Sequence, residues 1–171
     1  IITALVEKGS HFDCASRAEL ELCIAQGARA DQLSFGNTIK RASDIAYAAS
    51  IGVTLFAADA PEELEKIAEH APNAQVYLRV IVENSQADWP LSRKFGAASG
   101  HILALLTQGR ALGLQMVGLS FHVGSQTRKA AFWGPVLDQI SQVWSNAQNS
   151  GFALNLLNIG GGFPAFYGEA V

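Results

Sequence analysis

Two polar tips in this sequence have the composition of a ligand site. The first is His122-Val123-Gly124-Ser125, which ends the apolar run Val117 to Phe121; the second is Gly160-Gly161-Gly162-Phe163-Pro164, which ends Leu156 to Ile159. Near-continuous apolar runs are the mark of parallel strands covered on both faces, and in such sheets ligands bind beyond the carboxyl ends of the strands. Consecutive glycines let a backbone approach an anion and turn N–H groups toward it, and the Ser125 hydroxyl adds a donor. The flat face of His122 suits stacking on a heteroaromatic ring. Phosphate plus flat ring describes a nucleotide, a flavin or pyridoxal phosphate. Taken singly, three glycines also make a flexible turn and a lone histidine is also a hydrogen-bonded structural residue; the shared-site reading rests on their joint placement.

The elements that must position these tips alternate between strand and helix. Phe12 to Ala15 is short and extended, with Ser16 as N-cap of a helix Arg17–Ala25 and Glu19 at the capping-box position. Leu33–Phe35 is the next strand, tipped by Gly36-Asn37-Thr38-Ile39-Lys40, and leads to a helix Ala42–Ser50. Val53 to Ala57 is a third strand, and Pro61 opens a helix running to His70 with acids in its first turn. Val76 to Val82 is a fourth strand, followed by a polar loop, Glu83 to Arg93, and a helix His101 to Leu112. Met116–Phe121 and Leu154–Ile159 are the fifth and sixth strands, with an amphipathic segment, Ala131 to Gln148, between them. This alternation predicts a parallel α/β sheet. No Gly-x-Gly-x-x-Gly opens a helix, and chemistry-bearing residues recur at many strand ends, which favours a (β/α)8 TIM-type barrel of which about six of eight strands are present.

Composition bounds the function classes. The 171 residues are 49% hydrophobic with a net charge of -3, enough for one substantial core. Scattered Lys and Arg residues form no basic stripe, which argues against nucleic acid. No run approaches the roughly 18 apolar residues of a membrane helix. Cys14 and Cys23 lack the spacing of a metal site, so no metal is expected and the thiols read as buried and free in a cytoplasmic protein. A start without Met, on what reads as the back half of a helix, and an end just beyond the glycine loop suggest an excerpt of a longer protein.

Five motifs, in order along the whole chain, resemble the fold-type III pyridoxal-phosphate decarboxylases of basic amino acids, particularly bacterial ornithine and lysine decarboxylases. They are Phe12-Asp13-Cys14-Ala15-Ser16 with Glu19, Phe35 to Lys40, Trp89-Pro90-Leu91-Ser92-Arg93-Lys94-Phe95-Gly96, Phe121-His122-Val123-Gly124-Ser125-Gln126, and Asn158 to Pro164. The resemblance implies a cofactor, pyridoxal 5'-phosphate, with His122 stacked on its ring and Ser125 and the backbone of Gly161 and Gly162 on its phosphate. It places Asp13 near the reactive end, making Asp13 and His122 the catalytic candidates, and sets Arg79 against the ring's polar edge. Lys94 would lie in a loop near a subunit interface, and Glu19 would be a supporting residue. Lys40 follows a strand tip as a cofactor-linked lysine would, yet in the family that lysine ends the first strand, ahead of Ile1.

By the same resemblance, residues 1–171 are part of the cofactor-binding barrel, and the family's C-terminal β-domain, its ring-nitrogen carboxylate and its substrate-side residues lie downstream. The excerpt alone is expected to be inactive and, with unpaired sheet edges, poorly soluble. The parent is expected to be a cytoplasmic homodimer that decarboxylates ornithine to putrescine, with lysine to cadaverine as the second choice, in polyamine biosynthesis. A decarboxylase of diaminopimelate, arginine or carboxynorspermidine is the alternative within enzymes, and a non-catalytic regulatory homologue the alternative outside them.

Overall fold

The computed structural model describes residues 1–82, 94–166 and 168. Six parallel strands form one sheet: β1 (Phe12–Cys14), β2 (Leu33–Phe35), β3 (Leu55–Ala58), β4 (Gln75–Arg79), β5 (Gln115–Ser120) and β6 (Leu156–Asn158). Their order in space is their order in sequence, β1-β2-β3-β4-β5-β6. A doubly wound sheet would reverse direction at a switch point. A sheet that never reverses keeps its crossover helices on one face and curls, which is the construction of a (β/α)8 barrel.

The helices are α1 (Ile2–Glu7), α2 (Arg17–Ala25), α3 (Ala42–Ser50), α4 (Pro61–His70), α5 (Ser99–Ala111) and α6 (Trp133–Asn149). Local chemistry sets their starts. The Ser16 hydroxyl accepts from the Glu19 N–H at 3.3 Å, and the Glu19 carboxylate reaches back to the Ala15 N–H at 2.7 Å, one residue earlier than in a standard capping box. Pro61 occupies the first turn of α4, where its missing N–H costs nothing. Apolar faces of these helices meet the sheet in a core that includes Leu20, Ile45, Leu64, Ile67, Ile102 and Leu106, all essentially inaccessible to solvent.

Strand ends differ from the expected ones for reasons of pairing. Val53 gives its N–H to Ala48 O, so it closes α3 and does not open β3. The strand expected over Val76–Val82 ends at Arg79 because its neighbour changes: Val80 bridges Ala97, and the Ile81 N–H bonds Ala97 O. The polar loop expected over Glu83 to Arg93, including Trp89 to Arg93 of the third motif, lies outside the described residues. Cys14 and Cys23 are free, buried thiols with sulfurs 3.9 Å apart. Burial, and then the neighbouring Cys23, pushes the Cys14 thiol up to about 12, so it stays protonated at neutral pH.

Candidate pyridoxal site

Five of the six strands, all but β3, bring residues at or near their carboxyl ends to one open cleft of about 530 Å3. Its lining includes Asp13 from β1, Gly36 after β2, Tyr77 and Arg79 from β4, His122 after β5, and Asn158, Gly160 and Gly161 at the end of β6. Four of the six candidate site residues, Asp13, Arg79, His122 and Gly161, thus line one space. Ser125 and Gly162 are not part of that lining; they belong to the two loops that carry His122 and Gly161.

Those loops are joined to each other. The Thr127 N–H donates to Gly162 O at 2.8 Å, and the Gln126 amide pairs with both the N–H and the C=O of Ala165, at 2.9 and 3.2 Å. Trp133 stacks on Phe163 with ring centroids 4.9 Å apart. Gly162 is indispensable to the contact: its φ is +98°, and a Cβ there would lie 2.1 Å from Gly124 O. The glycine run is therefore a close backbone crossing, and the flexible-turn alternative does not describe it.

His122 is half-buried, and its Nδ1 accepts the Gly161 N–H at 3.2 Å. One of the amides expected to face a phosphate is thereby committed to orienting the imidazole. An accepting Nδ1 requires the ring's proton on Nε2, the neutral form. Burial, and secondly the Arg79 cation, hold the imidazole below its ordinary value of 6.5. The depressed value means that unfolded chains take up a proton that folded ones refuse as pH falls from about 6.5 to the folded value; stability contributed by His122 is lost across that window and regained as pH rises. Replacing Arg79 by Met removes the second cause, so the His122 titration is expected to move upward toward 6.5 when followed by NMR of the imidazole carbon. An unmoved titration would show that burial acts alone.

Arg79 is itself half-buried, its guanidinium 5.4 Å from the centre of the Phe95 ring. Burial lowers its proton affinity, and the nearby carboxylate of Asp59 partly restores it. Lys94 stands exposed on the rim of the cleft. With Arg79 it gives the cleft two cations, while Asp13 adds a carboxylate to the lining.

Asp13 is the best-connected polar group of the cleft. It accepts from Ser34 Oγ at 3.1 Å, from Tyr77 Oη at 3.4 Å and from Asn158 Nδ2 at 3.2 Å. Gly36 makes room for it, since a Cβ at Gly36 would lie 1.7 Å from Asp13 Oδ1. Tyr77 keeps its proton to well above the ordinary 10, through burial first and the Asp13 carboxylate second, so its hydroxyl remains a donor. Tyr77→Phe removes one long hydrogen bond and is expected to cost about 0.5–1 kcal/mol in denaturant unfolding of the full-length protein. A loss above ~2 kcal/mol would mean that the ring's packing is disturbed.

Serine 34, Tyr77 and Asn158 had no role assigned from sequence. A polar group ending an apolar strand, as Asn158 does, was the available signal. Lys40, by contrast, is not part of the cleft lining. Its ammonium is inaccessible to solvent, 2.8 Å from Glu63 Oε1, and donates to Asn37 O and Ala57 O. Withholding a cofactor role from Lys40 agrees with that burial. Glu19 does support the start of α2.

Comparison with known proteins decides the family. The pattern described as "Pyridoxal-dependent decarboxylase, pyridoxal binding domain" matches residues 1–170. The chain belongs to this family. Among its pyridoxal-dependent decarboxylase relatives, the ornithine decarboxylase of Mus musculus is 37% identical over 164 residues, covering 96% of this chain and 36% of that protein. The crystal structure of lysine decarboxylase from Selenomonas ruminantium superposes with a TM-score of 0.90 at 37% identity, over 96% of this chain and 43% of the other. Antizyme inhibitor 2 of Xenopus laevis is 35% identical over 96% of this chain and 36% of its own length. The chain therefore spans about two-fifths of the length of its relatives. Family membership establishes a pyridoxal-binding domain and the partial barrel; the names of the similar decarboxylases include ornithine, lysine and arginine.

Proposed function

We propose that this chain is the cofactor-holding part of a carboxy-lyase that uses pyridoxal 5'-phosphate to decarboxylate a basic L-amino acid, ornithine foremost and lysine second. The observation that carries the proposal is the convergence of Asp13, Arg79, His122 and Gly161 on one cleft at the strand ends of a pyridoxal-binding domain. The cleft suits the group: it offers an imidazole with a fixed orientation, two cations, and a loop where two backbones cross too closely for a side chain.

In this reading His122 holds its neutral face against the ring, with the Gly161 N–H fixing the imidazole at its Nδ1 edge. Ser125 and the Gly162 backbone hold the phosphate, Arg79 meets the ring's polar edge and Asp13 faces the reactive end. Bound pyridoxal phosphate supplies an electron-accepting ring for the pair released when the bond to the substrate carboxylate breaks. The neutral imidazole adds no positive charge to the stacked face, and Arg79 keeps its charge at the edge of the ring.

The parent protein is proposed to be a cytoplasmic homodimer whose C-terminal β-domain lies outside this chain, with putrescine or cadaverine as product in polyamine biosynthesis. A decarboxylase of arginine, diaminopimelate or carboxynorspermidine is the alternative substrate reading. The likeness to a protein named for antizyme inhibition supports a second reading, a non-catalytic regulatory homologue. Carbon dioxide release by the full-length protein, with pyridoxal phosphate and each amino acid offered separately, separates the three. Release from ornithine or lysine supports the leading reading; release only from another amino acid moves the substrate assignment; none from a folded, cofactor-loaded protein overturns the basic-amino-acid assignment, and none from a folded protein that also holds no cofactor favours the regulatory homologue.

A further inference from the structure

One contact in the cleft links strands that are far apart in the sheet. β1 and β6 stand at opposite ends of the strand order, yet Asn158 Nδ2 donates to Asp13 Oδ2 at 3.2 Å across 145 residues of sequence. The other end of the same amide accepts the Gly160 N–H at 2.8 Å. A backbone N–H can only donate, so it fixes which end of the amide faces the loop and leaves the NH2 for the carboxylate. The Asn158 backbone carbonyl also accepts the Phe121 N–H at 3.1 Å, next to His122.

We infer that Asn158 is a positioning residue of the pyridoxal site: it ties Asp13 to the glycine loop and so fixes the carboxylate relative to His122. The inference rests on the pyridoxal reading of the cleft. Residue chemistry makes it specific. Aspartate at 158 would keep an acceptor for Gly160 but would set a second carboxylate against Asp13, where like charges repel. Serine could serve Gly160 but would be too short to reach Asp13.

The test is a mutant cycle in the full-length protein, reading the dissociation constant of pyridoxal phosphate from fluorescence quenching. Asn158→Asp is expected to weaken binding about tenfold when residue 13 is Asp and to have little effect when Asp13 is replaced by Asn, within the usual range of coupling between contacting groups. Asn158→Ser, which adds no charge, should also weaken binding, through loss of one hydrogen bond to a charged group; it carries the test if Asn158→Asp does not fold, and unchanged binding by a folded Asn158→Ser would overturn the inference. Equal effects of Asn158→Asp in both backgrounds, or none in either, would overturn the inference while leaving the pyridoxal reading intact. A folded wild-type protein that bound no pyridoxal phosphate would remove the reading and the inference together.

Discussion

Gly162→Val is expected to abolish useful binding of pyridoxal phosphate by the full-length protein, weakening it by about 100-fold or more. Two costs act together. The residue has a φ of +98°, a region that β-branched side chains avoid, and its Cβ would be driven into Gly124 O at 2.1 Å. The neighbour is main chain, so it cannot rotate away; the two loops must separate, and His122, Gly161 and Ser125 move with them. Gly161→Ala is the matched control. A Cβ at 161 would find His122 Cε1 at 3.7 Å, an ordinary contact, and the N–H to His122 would be kept. Near-normal binding by Gly161→Ala beside lost binding by Gly162→Val is the expected pair. Normal cofactor occupancy in Gly162→Val would contradict the loop crossing.

Glu63→Gln is expected to cost about 3–5 kcal/mol of stability, the range for leaving a buried partner charge uncompensated. Glu63 contacts the fully buried Lys40 ammonium at 2.8 Å and Lys66 at 2.7 Å. Its Oε1 is in ionic contact with Lys40 without hydrogen-bond alignment, so charge carries that interaction. Adding Lys40→Met to Glu63→Gln should recover most of the loss, because an apolar group then fills the space of a stranded cation. Guanidinium unfolding of the three proteins measures both effects, and a Glu63→Gln loss under ~1 kcal/mol would contradict the assignment.

The pH dependence of that pair has a defined sign. Burial lowers the Lys40 value below the ordinary 10.5, with Glu63 opposing the shift. Between the lowered folded value and about 10.5 the unfolded chain holds a proton that the folded chain has released, so stability contributed by Lys40 rises with pH across that window and is flat outside it. Without Glu63 the folded value falls further and the window extends toward neutrality. The stability gap between wild type and Glu63→Gln should therefore narrow as pH is raised.

Much of this architecture is legible in the sequence because it is decided locally. The bounds of α2, α3 and α4 follow from Ser16, Pro61 and the glycines and small residues that close each unit, and β2 is read without error. The end of β4 is not legible, since it depends on residue 97 arriving beside Val80. The polar frame of Asp13 is hidden for the same reason. Its partners lie 21, 64 and 145 residues away, and nothing in the neighbourhood of Ser34, Tyr77 or Asn158 announces that they share an acceptor. Lys40 is ambiguous as a sequence feature and unambiguous once Glu63 is seen beneath it.

The commitment of the Gly161 N–H to His122 also needed three dimensions. From spacing alone, all three glycines look equally available to an anion. In the fold they divide: Gly160 is bonded to Asn158, Gly161 to His122, and Gly162 crosses Gly124. The loop is thus an orienting device for two side chains as well as a place for backbone to approach a ligand.

The most direct measurement is a crystal structure of the full-length protein soaked with pyridoxal phosphate. The pyridine ring is expected against the His122 imidazole, the phosphate within hydrogen-bond distance of Ser125 and the Gly162 backbone, and Asp13 still held by Asn158. Cofactor found elsewhere in the protein, or in the cleft with its phosphate away from the glycine loop, would contradict that placement.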